Sequence, residues 1–123
     1  MKELYREAMK ARINAHVPYS GLHVGAAIRC SDGSVFTGCN IENSSFGATI
    51  CAERTAAVKA VSEGHSDFEA IAVCCDDGAA WPCGICRQFL YDFAPDMQVI
   101  TGESEDSLES YPLRELMPKG WEF

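Results

Sequence analysis

Several things are missing from this 123-residue chain, and each absence removes a class of function. No unbroken apolar stretch approaches the roughly eighteen residues that a membrane-crossing helix needs, so no membrane role is expected. No Gly-x-y period is present, and with 47% hydrophobic residues the chain is too apolar for a disordered one. There is no basic run either. Ten Lys and Arg stand against eighteen Asp and Glu, a net charge of −8. Gripping phosphates takes clustered positive charge, so a nucleic-acid partner is disfavoured and a small neutral ligand fits better. The first residues, Met1-Lys2-Glu3-Leu4-Tyr5-Arg6-Glu7, mix acids and bases where a secretory leader would carry an apolar block. A cytoplasmic protein of one domain, residues 1–123, is the expectation.

What is present in unusual number is cysteine: seven, an odd count. In a reducing compartment such residues are more often metal ligands or small buried hydrophobes than disulfides. The apolar spacing predicts a helix from Met1 to about His16, stopped by Pro18, then strands at Val24 to Cys30 and Val35 to Ile41 joined by the turn Ser31-Asp32-Gly33-Ser34. A helix follows from Cys51 to Glu63, with Ala52, Ala56, Ala57, Ala60 and Val61 on its apolar side. Phe68 to Cys75 reads as a strand covered on both faces, Cys83 to Phe93 as a helix and Met97 to Thr101 as a short strand. Glu103 to Ser110 reads as a solvated loop or edge strand, and Pro112 to Met117 as a last helical turn. Strands alternating with helices predict an α/β fold with helices on both faces of the sheet.

The chemistry concentrates in Cys51-Ala52-Glu53-Arg54 and Pro82-Cys83-Gly84-Ile85-Cys86-Arg87-Gln88. Cys83 and Cys86 form a C-x-x-C pair at a helix start, where free N–H groups and the helix dipole favour thiolates. Alone, the pair also reads as a redox dithiol or half of a structural zinc site. Cys51 opens another helix, and three thiolates make an incomplete tetrahedron around zinc, with the fourth position left for water. Glu53 can sit beside such an ion without binding it and take a proton from the water. Arg54 and Arg87 are placed to offset the thiolate charge by hydrogen bonding to sulfur. Cys30, Cys39, Cys74 and Cys75 lie in strands and read as buried hydrophobes.

C-x-E followed by P-C-x-x-C is the signature of the zinc deaminases. The chain further resembles the small homotetrameric cytidine deaminases, through Pro18-Tyr19-Ser20, Val24-Gly25-Ala26-Ala27, Gly38-Cys39-Asn40-Ile41-Glu42-Asn43 and the two cysteine segments, which run in the family's order over nearly the whole chain. That resemblance implies a three-layer α/β/α sandwich on a mixed sheet of about five strands. It implies a hydrolase of a cyclic amidine C–N bond, converting cytidine and 2′-deoxycytidine in pyrimidine salvage. By the same resemblance Cys51, Cys83 and Cys86 would bind Zn2+, Glu53 would shuttle protons, Asn40 and Glu42 would bind the ribose, and the Ala52 backbone N–H would donate to the pyrimidine O2. A homotetramer is implied as well, with the stretch around Phe46 near a subunit contact and the C-terminal aromatics, Trp121 and Phe123, near another.

Two positions depart from the family pattern. Leu22 stands where the family usually has a Phe beside the base, and Trp121 where a C-terminal Phe reaches an active site of the assembly. The departures keep alive a deaminase of a modified or antibiotic aminopyrimidine nucleoside such as blasticidin S. From another class, the rival is a non-enzymatic zinc-binding module. His16, His23 and His65 follow no ligand spacing and read as structural or surface groups.

Overall fold

The computed structural model describes residues 1–122; Phe123, one of the two C-terminal aromatics expected at a subunit contact, lies outside the described residues. The elements in chain order are α1 (Lys2–Ala11), β1 (Val24–Cys30), β2 (Val35–Cys39), α2 (Ala52–Ser62), β3 (Phe68–Cys75), the two-residue β4 (Gly78–Ala79), α3 (Gly84–Tyr91), β5 (Gln98–Gly102) and β6 (Leu108–Pro112). The sheet runs β2-β1-β3-β5-β6, with β4 pairing off the end of β3. Among the described strands only β3 and β5 pair in parallel; the other strand pairs are antiparallel. The expected five strands are therefore joined by a sixth, very short one. No described helix is long and apolar enough to cross a membrane.

Alternation along the central strands supplies the three layers. Ala27 of β1 and Ala70, Ala72 and Cys74 of β3 face α1, where Leu4, Tyr5 and Ala8 are buried. Ala26 and Ile28 of β1 and Ile71 and Val73 of β3 face the opposite way, onto Ala52, Ala56, Ala57 and Ala60 of α2 and Leu90 of α3. The helix α2 can lie flat on the sheet because β2 presents no side chain at Gly38. A Cβ there would stand 2.5 Å from the Ala56 nitrogen and 2.7 Å from the Ala52 carbonyl oxygen. Gly25 does the same under α1, where a Cβ would fall 2.0 Å from the Ala8 carbonyl oxygen.

The structure corrects several expected boundaries. The first helix ends at Ala11, tightens into a 3-10 turn over Arg12–Asn14, and leaves Ile13 exposed, well before Pro18. The chain departs early because His16 pairs with the stretch after β2: its N–H donates to the Asn40 carbonyl at 3.0 Å, and its carbonyl accepts from the Glu42 N–H at 2.8 Å. That same pairing shortens β2, which ends at Cys39 while Ile41 bridges to His16 and Ile50. Val61 points outward with Val58, not into the apolar side of α2. The acidic segment closes into edge strand β6 only from Leu108. Cys30 and Cys74 are buried as expected, whereas Cys39 and Cys75 are half-buried.

Because the steric conflict at Gly38 is with helix backbone, Gly38→Ala should destabilise the fold by about 1–3 kcal/mol. A urea midpoint compared with that of Gly47→Ala, at a position where a Cβ meets nothing within 4 Å, would check this. Equal midpoints would show that α2 is free to move off the sheet.

Candidate active site

Two helix starts meet over the α2–α3 face of the sheet. Cys51 is the N-cap of α2 and Cys83 that of α3, both in extended backbone, and neither sulfur makes a capping hydrogen bond. Each sulfur therefore stays available beside the unpaired N–H groups of a first turn. Cys86 lies inside the first turn of α3 and is buried. The three Sγ atoms fall within 4.8 Å of one another, with Cys51 and Cys83 3.8 Å apart. Sulfurs held tetrahedrally at about 2.3 Å from one zinc stand about 3.8 Å from each other, so the donor set fits that ion. Among the described residues no fourth Cys, His, Asp or Glu joins the cluster.

Electrostatics in the cluster are arranged around ionised sulfur. Cys51 is held down to about 5, chiefly by hydrogen bonding from Cys86 and further by Arg54. Cys86, the donating half of that pair, is pushed up. Arg54 Nη2 donates to Cys51 Sγ at 3.3 Å, while its Nε is buried without a hydrogen-bond partner. Ionising the remaining thiols, as metal binding does, would create acceptors beside that orphaned donor. Arg87, expected to do the same, does not. Its Nε donates to the Pro82 carbonyl at 2.8 Å and its Nη1 to the Leu116 carbonyl at 2.7 Å, so it anchors the loop before α3 to the C-terminal turn. The charge offset expected of two arginines falls to Arg54.

Glu53, only 4% exposed, lies in the first turn of α2, outside the sulfur cluster. Burial pushes its carboxyl up to about 7, and the Cys51 thiolate adds a smaller push in the same direction. The carboxyl can thus gain or lose a proton near neutrality.

Glu53, Cys51 and Cys83 line an open cleft of about 370 Å³, together with Leu22, Asn40, Glu42 and Trp81. Its size is that of a small-ligand site. The Ala52 backbone also borders it, and that N–H is the first of a helix, without an intrahelical partner. Asn40 and Glu42 do more than face the cleft. Asn40 Oδ1 accepts from the Val24 N–H and its Nδ2 donates to the Leu22 carbonyl, each at 2.9 Å. Glu42 Oε1 accepts from the backbone N–H groups of Tyr19 and Ser20 at 3.0 and 3.1 Å, and Oε2 from the Ser20 hydroxyl at 2.5 Å. These bonds, led by the Ser20 hydroxyl, keep the Glu42 carboxyl ionised below its ordinary range. Asp76 adds another tie, accepting from the His23 N–H at 2.9 Å and from Arg12 at 2.7 Å. The loop that carries Leu22 is therefore pinned on both sides.

Trp121 is not brought to this cleft within the chain. It borders a separate hollow with Tyr91, Asp92, Pro95 and Glu122 and is 66% exposed. Trp81, which no motif of the sequence includes, lines the cleft instead. Its place directly before Pro82-Cys83 was the available signal.

Residues 1–103 match the family described as "Cytidine and deoxycytidylate deaminase zinc-binding region". The chain belongs to the cytidine deaminase family. A cytidine deaminase of Halalkalibacterium halodurans is 48% identical over 117 residues, spanning 94% of this chain and 89% of that protein. A blasticidin-S deaminase of Bacillus cereus is 36% identical over 105 residues, spanning 78% and 74%. The crystal structure of a cytidine deaminase from Burkholderia pseudomallei superposes with a TM-score of 0.90 at 38% identity, covering 97% of both chains. The matched family is named for a zinc-binding region, and the sulfur cluster is the group among the described residues that could hold a metal ion.

From outside the cluster, Arg54 donates to the Cys51 sulfur. Arg54→Ala should leave the cysteines in place but weaken metal affinity by about 10- to 100-fold, the usual cost of losing an outer hydrogen-bonding partner. Competition against a chromogenic chelator measures it, and an unchanged affinity would show that the guanidinium plays no part in holding the metal.

Proposed function

We propose that this protein deaminates cytidine and 2′-deoxycytidine, water replacing the 4-amino group to leave uridine or 2′-deoxyuridine and ammonia. The observation that carries the reading is a buried carboxyl, Glu53, lining the same cleft as Cys51 and Cys83, beside three sulfurs spaced for one metal ion. Cys51, Cys83 and Cys86 would hold Zn2+, which when bound supplies the Lewis acidity that lets a water lose its proton near neutral pH. Glu53 takes the first proton of the attacking water and delivers it to N3 of the base, where it stays in the product. It then moves the second water proton to the 4-amino group, which departs as ammonia as C4 becomes a carbonyl. The Ala52 N–H, first of its helix, would donate to the pyrimidine O2, so that negative charge has a fixed donor as attack proceeds. Asn40 and Glu42 hold the sugar. A carboxylate offers about four lone-pair positions, and Glu42 uses three on its own loop, which leaves one for a ribose hydroxyl.

A non-enzymatic zinc module is the weaker reading, because such a site wants a fourth protein ligand and has no use for a buried Glu53. A modified or antibiotic aminopyrimidine nucleoside is favoured by one feature, the leucine at position 22, which is shorter than the phenylalanine usual in the family. We further propose a homotetramer in the cytoplasm serving pyrimidine salvage. Support for assembly comes from the exposed rings of Phe46 and Tyr19, packed edge to face at 5.9 Å, and from exposed Trp121.

Glu53→Gln should keep its metal and its fold while losing turnover by about a thousandfold, since one group serves both proton transfers. Loss of absorbance on cytidine, deoxycytidine, cytosine, cytidylate and blasticidin S reads both the mutant and the substrate class. Cytidine should lead with the parent protein, which light scattering should find at four chains. Turnover within tenfold of the parent in Glu53→Gln would assign the protons to another group.

A further inference from the structure

We propose that Trp81 is the aromatic wall against which the pyrimidine ring is held, a specificity-determining residue at a position not marked by the deaminase motifs. The proposal rests on the reading of the cleft as a pyrimidine nucleoside site. Trp81 is the one aromatic side chain among the residues that line the cleft; the apolar remainder, Leu22, Val24 and Ile50 among them, is aliphatic. The indole is 37% exposed, so part of its surface is free to meet a ligand. The indole packs against Tyr111 of β6, with ring centroids 5.6 Å apart and planes inclined at 53°.

The backbone beneath the indole is held in place from both directions. On the N-terminal side, the fully buried Thr101 hydroxyl donates to the Val73 carbonyl at 2.7 Å and accepts from the Ala80 N–H at 2.8 Å. On the C-terminal side, Pro82 is fully buried and its carbonyl accepts from Arg87 at 2.8 Å. Next comes Cys83, a member of the sulfur cluster. An aromatic side chain fixed two residues from the metal centre is held in register with whatever base sits there, at little entropic cost on binding. A flat heteroaromatic ring gains from offset stacking on an indole in a way it cannot from leucine. Trp81 thus supplies, from within the chain itself, the ring that Leu22 does not, whereas Trp121 of the same chain borders a separate hollow.

Trp81 and Trp121 are the only two tryptophans, so their emission can be separated. Trp121→Phe leaves Trp81 as the sole emitter and Trp81→Phe leaves Trp121. Each is titrated with uridine, which is not consumed, while cytidine deamination is followed in parallel. A saturable change in emission is expected in Trp121→Phe, and a smaller one or none in Trp81→Phe. Trp81→Ala should raise KM for cytidine about three- to tenfold, with kcat much less affected, and Trp81→Phe should recover most of the loss. A uridine response confined to Trp81→Phe, or an unchanged KM in a folded Trp81→Ala, overturns the proposal. Should Trp81→Ala fail to fold, the two fluorescence titrations decide it alone. A parent that deaminates cytidine while Trp81 stays silent removes Trp81 but leaves the nucleoside reading standing. A parent that neither deaminates cytidine nor responds to uridine removes both.

Discussion

Everything in this protein's chemistry depends on two helix N-termini being brought close enough for three sulfurs to share one point in space. The pull of an ion on thiolates acts at short range, so the scaffold has to supply the convergence beforehand. It does so with small residues. Gly38 on β2 and the alanines of α2 allow helix backbone to rest almost directly on sheet backbone, which fixes where Cys51 and Glu53 emerge. Across the cluster, α3 starts where the chain crosses from β4, and Arg87 ties that crossing to the C-terminal turn. Helix dipoles, the Arg54 guanidinium and a buried carboxyl then act on one small volume.

Polar groups around the cleft serve the scaffold as well as the ligand. Glu42 ties down Tyr19 and Ser20, Asn40 bridges Leu22 and Val24, and Asp76 joins His23 to Arg12. None of these bonds touches the metal cluster. They set the position of the loop that carries Leu22, one of the residues lining the cleft. Substituting Asn40 or Glu42 would consequently move Leu22 as well as change the cleft wall, and the two effects would appear together in KM.

How much of this could be read from sequence depended on how local each feature is. The two cysteine segments were legible because N-cap position, C-x-x-C spacing and the carboxyl two residues after Cys51 are set within a single turn. The element types were legible for the same reason, and β3 matches its expected bounds from Phe68 to Cys75. What failed required knowing where distant chain returns. The end of α1 is decided by His16 pairing with Asn40 and Glu42, contacts that no helical periodicity contains. Arg87 follows a key position as Arg54 does, yet its partners are carbonyls, one of them 29 residues away at Leu116. Of the two tryptophans, resemblance singled out Trp121, while the turn into β4 and the Thr101 hydroxyl put Trp81 in the cleft.

The central claim is that the sulfur cluster is a metal centre on which deamination depends. Its most direct test is to strip the protein with a chelator and titrate zinc back, measuring bound metal and the rate of cytidine absorbance loss in the same samples. The account predicts that activity vanishes with the metal and returns in proportion, reaching its plateau at one zinc per chain. Full activity in metal-free protein, or a plateau unrelated to that stoichiometry, would contradict it.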